Sequence, residues 1–129
     1  MRDPILQAIA NHKAAFAEHA SALGHREALE REIPAGKRRS TIDLLGEDIV
    51  ETDDPRWIEA ERQVHLCFEA EDAAAWALLK VPPTTRDGVL ELIAHAMCHG
   101  TSELAWPDGW RAGLTPVLAE ALPRLWRAA

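Results

Sequence analysis

Prolines divide this chain into segments of helical length, and their spacing is the strongest constraint on its fold. Pro4 and Pro55 each follow an aspartate, which pairs a good helix N-cap with a residue that fits the first helical turn. Pro82 and Pro83 have the opposite effect, because the residue before a proline is pushed out of the helical region. The prolines therefore predict helices that begin near residues 4 and 55, with a break near residue 82.

Apolar residues between these prolines recur at helical intervals, and no segment shows a strand pattern. We predict an all-α fold, a small helical bundle with two long helices, formed by a single domain over residues 1–129. The predicted helices span 4–23, 55–80, 85–99 after the Pro-Pro-Thr-Thr turn, and 115–127. Residues 25–33 either continue the first helix or form a short one. Residues 34–54 lack a regular period and are predicted to be a long acidic loop.

The charge pattern narrows the possible functions. The net charge is −7, and residues 43–72 hold eleven acidic residues against two arginines. Phosphate backbones repel such a segment, so direct nucleic-acid binding is not expected. No apolar run approaches the ~18–20 residues of a membrane span, and no signal-peptide pattern is present. Two cysteines without a CxxC motif fit reduced thiols, so a cytoplasmic location is expected.

Two stretches carry a family resemblance. They are DPILQAIANHKAAFAEH at 3–19 and LLKVPPTTRDGVLELIAHA at 78–96. Both resemble an uncharacterised family of small helical alphaproteobacterial proteins, found especially in rhizobia. The shared features are an Asp-Pro-Ile opening, a histidine followed by a basic residue, and a Pro-Thr-Thr stretch followed by glycine. The resemblance covers roughly residues 3–97 without the loop. It implies a bacterial cytoplasmic helical protein and carries no activity to transfer.

His95, Cys98 and His99 are the candidate metal ligands. His95 and His99 are four positions apart and share a helix face, with Cys98 beside them. Zinc accepts such nitrogen and sulfur donors. The structural alternative is that histidines in a last helical turn interact with the negative helix end, and that the cysteine packs as a small hydrophobe. We favour that structural alternative and therefore expect no cofactor. Bound zinc is the finding that would contradict this expectation.

A histidine and an acid within apolar stripes form a candidate structural pair. His12 lies on the apolar stripe of the first helix, and Glu71 falls inside that of the second long helix. A histidine in such a stripe is more often a hydrogen-bonded core residue than a catalyst. We therefore predict that His12 is structural and that Glu71 is its candidate partner.

The turn before the third helix also carries structural residues. Pro83 ends the preceding helix, while Thr84 and Thr85 begin the next, and Thr84 with Asp87 fits the capping-box pattern. Gly88 in the first helical turn costs stability unless something compensates, which predicts close approach of another backbone. The alternative is an anion held by the free N–H groups of the helix N-terminus.

Function follows only weakly from these features. Trp106 and Trp110 flank a Pro-Asp-Gly turn and could form an exposed aromatic patch for a partner. No catalytic constellation is evident, so the leading hypothesis is a non-enzymatic, self-associating protein-interaction module. One alternative is a small metal- or ligand-binding helical protein that uses His95, Cys98 and His99. The other is an acidic nucleic-acid mimic that inhibits a DNA-binding enzyme through residues 43–72.

Overall fold

The computed structural model describes residues 2–99 and 106–127. These residues confirm a mostly helical protein, with four α-helices, a 3-10 turn and a two-stranded sheet. In chain order the elements are α1 (Pro4–Glu32), the 3-10 turn (Ala35–Lys37), β1 (Thr41–Asp43), β2 (Gly46–Asp48), α2 (Pro55–Leu78), α3 (Arg86–His99) and α4 (Trp110–Trp126). None of the helices in this described part is both long and apolar enough to cross a membrane.

The chain divides into two compact units, one made of Met1–Ala14 with Asp72–Ala129 and the other of Ala15–Glu71. The prediction of a single domain stays a prediction. The first unit buries one apolar cluster (Ile5, Ala8, Ile9, Ala75, Leu78, Leu92, Trp106 and Trp110). The second unit buries a smaller one (Leu29, Ile33, Trp57 and Ala60).

The first helix continues to Glu32 rather than ending near residue 23. Burial explains the extension, because Leu29 packs in the core of the second unit and Arg26 pairs with the buried carboxylate of Glu61 at 3.3 Å. Gly24 lies inside the helix and meets no neighbouring atom. Tertiary contacts therefore outweigh the cost of a helical glycine.

The last helix begins at Trp110, so its predicted start at residue 115 is wrong. Gly109 adopts a left-handed φ of 82°, which reverses the chain after Pro107 and Asp108. The Trp110 indole is fully buried and donates a hydrogen bond of 2.6 Å to the carbonyl of Ala75. This anchor fixes the helix start five residues before the position that the prolines indicated.

Residues 34–54 contain a short hairpin where an irregular loop was expected. The prediction that this segment has no strands is therefore wrong. Its strands are antiparallel and only three residues long, with mostly exposed side chains, so no alternating pattern marks them. Asp43 accepts a hydrogen bond from the Leu45 N–H at 2.8 Å, and Gly46 takes a φ of 132°. These two residues build the turn.

Buried Asp53 holds the ends of that hairpin. One of its carboxylate oxygens accepts hydrogen bonds from the backbone N–H groups of Arg39 (2.8 Å) and Ser40 (2.6 Å). The Ser40 hydroxyl in turn accepts the N–H of Val50 at 2.8 Å. The segment thus gains its order from side-chain-to-backbone bonds, which spacing rules for strands do not detect.

In the first unit, the carboxylate of Asp3 joins the starts of α1 and α3. Oδ1 accepts the Ile5 N–H at 3.1 Å, which confirms Asp3 as a cap of α1. Oδ2 accepts the N–H groups of Thr84 (3.0 Å) and Thr85 (2.9 Å) and the Thr85 hydroxyl (2.8 Å). Burial raises the pKa of this carboxyl, but the hydrogen bonds outweigh burial and leave the pKa below its ordinary value.

Gly88 makes room for that carboxylate. A Cβ atom at residue 88 would lie 1.9 Å from Oδ2 of Asp3 and 2.9 Å from a side-chain carbon of Ile5. The close neighbour is therefore a side-chain anion of the chain itself at the helix N-terminus, and the expected approach of another backbone is wrong. The cap of α3 is Thr85, whose hydroxyl accepts the Gly88 N–H at 3.0 Å. The predicted capping box on Thr84 is wrong by one residue, because α3 begins at Arg86.

Candidate metal centre

Three histidine rings gather in the first unit. His12 comes from α1, one turn beyond the buried residues Ala8 and Ile9, and His95 and His99 come from the last turns of α3. The ring centres of His12 lie 5.0 Å from His95 and 4.6 Å from His99, and those of His95 and His99 are 5.5 Å apart. His12 is fully buried and His95 is 7% exposed, so the cluster belongs to the interior.

One indole packs against these rings, and a second indole stacks on the first. Trp106 stacks on His12 with centres 4.8 Å apart and an interplanar angle of 15°, and Trp110 stacks on Trp106 at 3.7 Å. The Trp106 N–H donates to the carbonyl of Ala96 at 3.2 Å. Both indoles are buried, so the expected exposed aromatic patch is wrong. The Pro-Asp-Gly turn instead directs the two rings inward.

The hydrogen bonding of His12 leaves one of its nitrogens with no partner. Its Nδ1 lies 2.8 Å from Nε2 of His95, so one of these two nitrogens carries the shared proton. Its Nε2 is buried and has no hydrogen-bond partner within the described residues. A ring nitrogen of His12 and one of His99 lie within 4.8 Å of each other. An unsatisfied buried nitrogen costs about 1–3 kcal/mol, so a ligand at this position would stabilise the protein.

The electrostatics keep two of the rings neutral. Burial, followed by the charges of His99 and His95, lowers the pKa of His12 to about 4. Burial, followed by the charges of His99 and Lys13, lowers the pKa of His95 to about 4. A neutral imidazole retains a nitrogen lone pair, which is the form that coordinates metal ions.

The rings of His12 and His99 are near enough to be compared with the spacing of two zinc ligands. Zinc binds imidazole at about 2.0–2.1 Å in tetrahedral sites, which places the centres of two ligating rings about 5 Å apart. The 4.6 Å between the centres of His12 and His99 is close to that separation. His95 contacts the other nitrogen of His12, in the position of a partner that orients a ligand.

The predicted site residues are only partly brought together. His95 and His99 lie in one cluster, but Cys98 is exposed, and the third ring comes from His12. The apolar stripe of α1 indicated that His12 is buried, while its meeting with α3 is a tertiary contact that no spacing reveals. In the second unit, Glu71 lies 2.6 Å from Nδ1 of His19. The predicted partnership of His12 with Glu71 stays a prediction.

Comparisons with protein-family models, curated proteins and solved structures found no significant match. The resemblance to small alphaproteobacterial helical proteins therefore stays an expectation.

Proposed function

We propose that this chain is a small helical metal-binding protein whose ion, zinc in the first instance, is held by Nε2 of His12 and a ring nitrogen of His99. The observation that carries the proposal is the buried Nε2 of His12, which has no hydrogen-bond partner among the described residues. A ring nitrogen of His99 lies within 4.8 Å of a ring nitrogen of His12. Zinc would complete its four positions with water or further donors.

His95 has a separate role in this proposal. When the Nδ1–H of His12 donates to Nε2 of His95, the lone pair of His12 remains on Nε2. Outer hydrogen bonds of this kind fix the tautomer and the orientation of a ligating histidine. The stack with Trp106 limits rotation of the His12 ring in addition. His95 is therefore a positioning residue.

Imidazole donors define the class of ion. They suit zinc, copper, nickel and iron, whereas calcium and magnesium prefer oxygen ligands. Exposed Cys98 is not among the proposed ligands. The expectation of a self-associating interaction module and that of an acidic nucleic-acid mimic each stay a prediction, independent of this site.

Substitution of the three histidines should weaken zinc binding to different degrees. Wild-type protein, with any affinity tag removed, should bind one zinc ion in a calorimetric titration at neutral pH. His99→Ala removes a ligand and should weaken binding by more than about 100-fold, whereas His95→Ala should weaken it by about 10- to 100-fold. His12→Asn tests the other ligand with less loss of buried volume.

The matched control is His25→Ala, because His25 is an exposed histidine in the second unit. This variant should bind zinc as the wild type does. Equal affinity of wild type and His99→Ala, or the absence of one-to-one binding, would contradict the proposal.

A further inference from the structure

We infer that one face of the first unit, formed by α1 and α3, binds a second copy of this chain. This α1–α3 face consists of an exposed apolar stripe on α3 and an adjoining groove. The stripe contains Leu90, Ala94 and Met97, and the groove is lined by Arg2, Leu6, Ile9, Ala10, Lys13, Asp87, Leu90 and Glu91. The inference is independent of the metal proposal, since the histidine rings do not line the groove.

The stripe is apolar where a surface helix is ordinarily polar. Leu90 is 55% exposed and Met97 is 71% exposed, and Ala94 between them is exposed as well. These residues stand at i, i+4 and i+7, which places them along one side of α3. The opposite side of α3 packs into the core through Val89 and Leu92. α3 therefore has a second apolar side, which the fold of one copy does not cover.

The groove beside the stripe has positive charges on its α1 side and negative charges on its α3 side. It has a volume of about 560 Å³, and its apolar wall includes Leu6 of α1 and Leu90 of α3. The cationic residues, Arg2 and Lys13, come from the α1 side, and the anionic residues, Asp87 and Glu91, belong to α3. In the described part of the chain, none of these four residues forms an ion pair.

This charge arrangement favours a second copy over an unrelated partner. A two-fold axis through the face places the α1 side of one copy against the α3 side of the other. Lys13 of one copy then meets Glu91 of the other, and each contact occurs twice. A uniformly basic or uniformly acidic partner would meet like charge on one half of the groove. The apolar stripes of the two copies cover each other in the same arrangement.

Sedimentation equilibrium of the full, tag-free chain tests the inference. Wild-type protein should form dimers, and Met97→Lys should weaken the dimer by about 10-fold or more, because it places a charge in the apolar stripe. The matched control is Leu66→Lys, which changes an apolar side chain that is 59% exposed in the second unit. This control should dimerise like the wild type.

Charge reversal tests whether the molecule bound at this face is a second copy of the chain. Lys13→Glu and Glu91→Lys should each weaken the dimer, since each variant opposes like charges at both copies of the contact. The double variant restores opposite charges and should recover most of the lost affinity. A monomeric wild type, equal weakening by Leu66→Lys, or no recovery in the double variant would overturn the inference.

Discussion

Acidification of the metal-free protein from neutral pH to about pH 5 should lower its free energy of unfolding by about 4 kcal/mol. His12 and His95 each have a pKa of about 4 in the folded chain, against 6.5 for an ordinary histidine. The unfolded chain therefore takes up protons first. The neutral rings contribute stability that is fully present above about pH 6.5 and is lost progressively as the pH falls from about 6.5 to about 4. Each ring accounts for about 2 kcal/mol at pH 5.

Urea unfolding at several pH values measures this dependence. The His12→Phe variant keeps an aromatic ring against Trp106 but removes one titrating group, so its loss on acidification should be about half that of the wild type. His25→Gln changes an exposed histidine and should leave the dependence unchanged. A free energy of unfolding that is the same at neutral pH and at pH 5 would contradict the burial of two neutral imidazoles.

Replacement of two helical glycines by alanine should have effects of opposite sign. Gly88→Ala should destabilise the protein by at least about 2 kcal/mol, because the new methyl group overlaps Oδ2 of Asp3. It also displaces the carboxylate from the N–H groups of Thr84 and Thr85, and hydrogen bonds to charged groups are worth about 1.5–3 kcal/mol. Gly24→Ala should stabilise the protein by about 0.5–1 kcal/mol, because no atom lies near the added group.

Thermal or urea unfolding of the two variants measures the difference. Both glycines lie in helices and neither has a positive φ, so backbone conformation does not distinguish them. The two positions differ because the Asp3 carboxylate lies close to Gly88 and no atom lies close to Gly24. A Gly88→Ala variant as stable as the wild type would contradict the packing of the Asp3 carboxylate between the starts of α1 and α3.

The helical pattern of the chain was largely predictable, while its long-range contacts were not. Pro4, Pro55 and Pro83 mark local backbone restrictions, and α1, α2 and α3 begin or end close to them. Gly88 was also informative, since its cost predicted close approach of another backbone, although the neighbour is a side chain. That the neighbour is the Asp3 carboxylate depends on a contact between residues more than eighty positions apart, which helical spacing does not encode.

The hairpin and the histidine cluster also depend on contacts that the spacing of residues in the sequence does not predict. The strands of the hairpin are too short for an alternating pattern. Its order depends on hydrogen bonds that the Asp53 carboxylate and the Ser40 hydroxyl accept from backbone N–H groups. For the site, the spacing of His95 and His99 correctly placed two rings on one helix face. Tertiary packing of α1 supplied His12, and the buried Trp106 donates its N–H to the backbone carbonyl of Ala96.

X-ray absorption spectroscopy of the zinc-loaded protein tests the central claim most directly. If His12 and His99 hold the ion, the first shell should contain imidazole nitrogens at about 2.0–2.1 Å, and His99→Ala should remove that signal. A sulfur at about 2.3 Å would assign the ion to a cysteine such as exposed Cys98. That result, or a first shell without imidazole, would contradict the proposed metal centre.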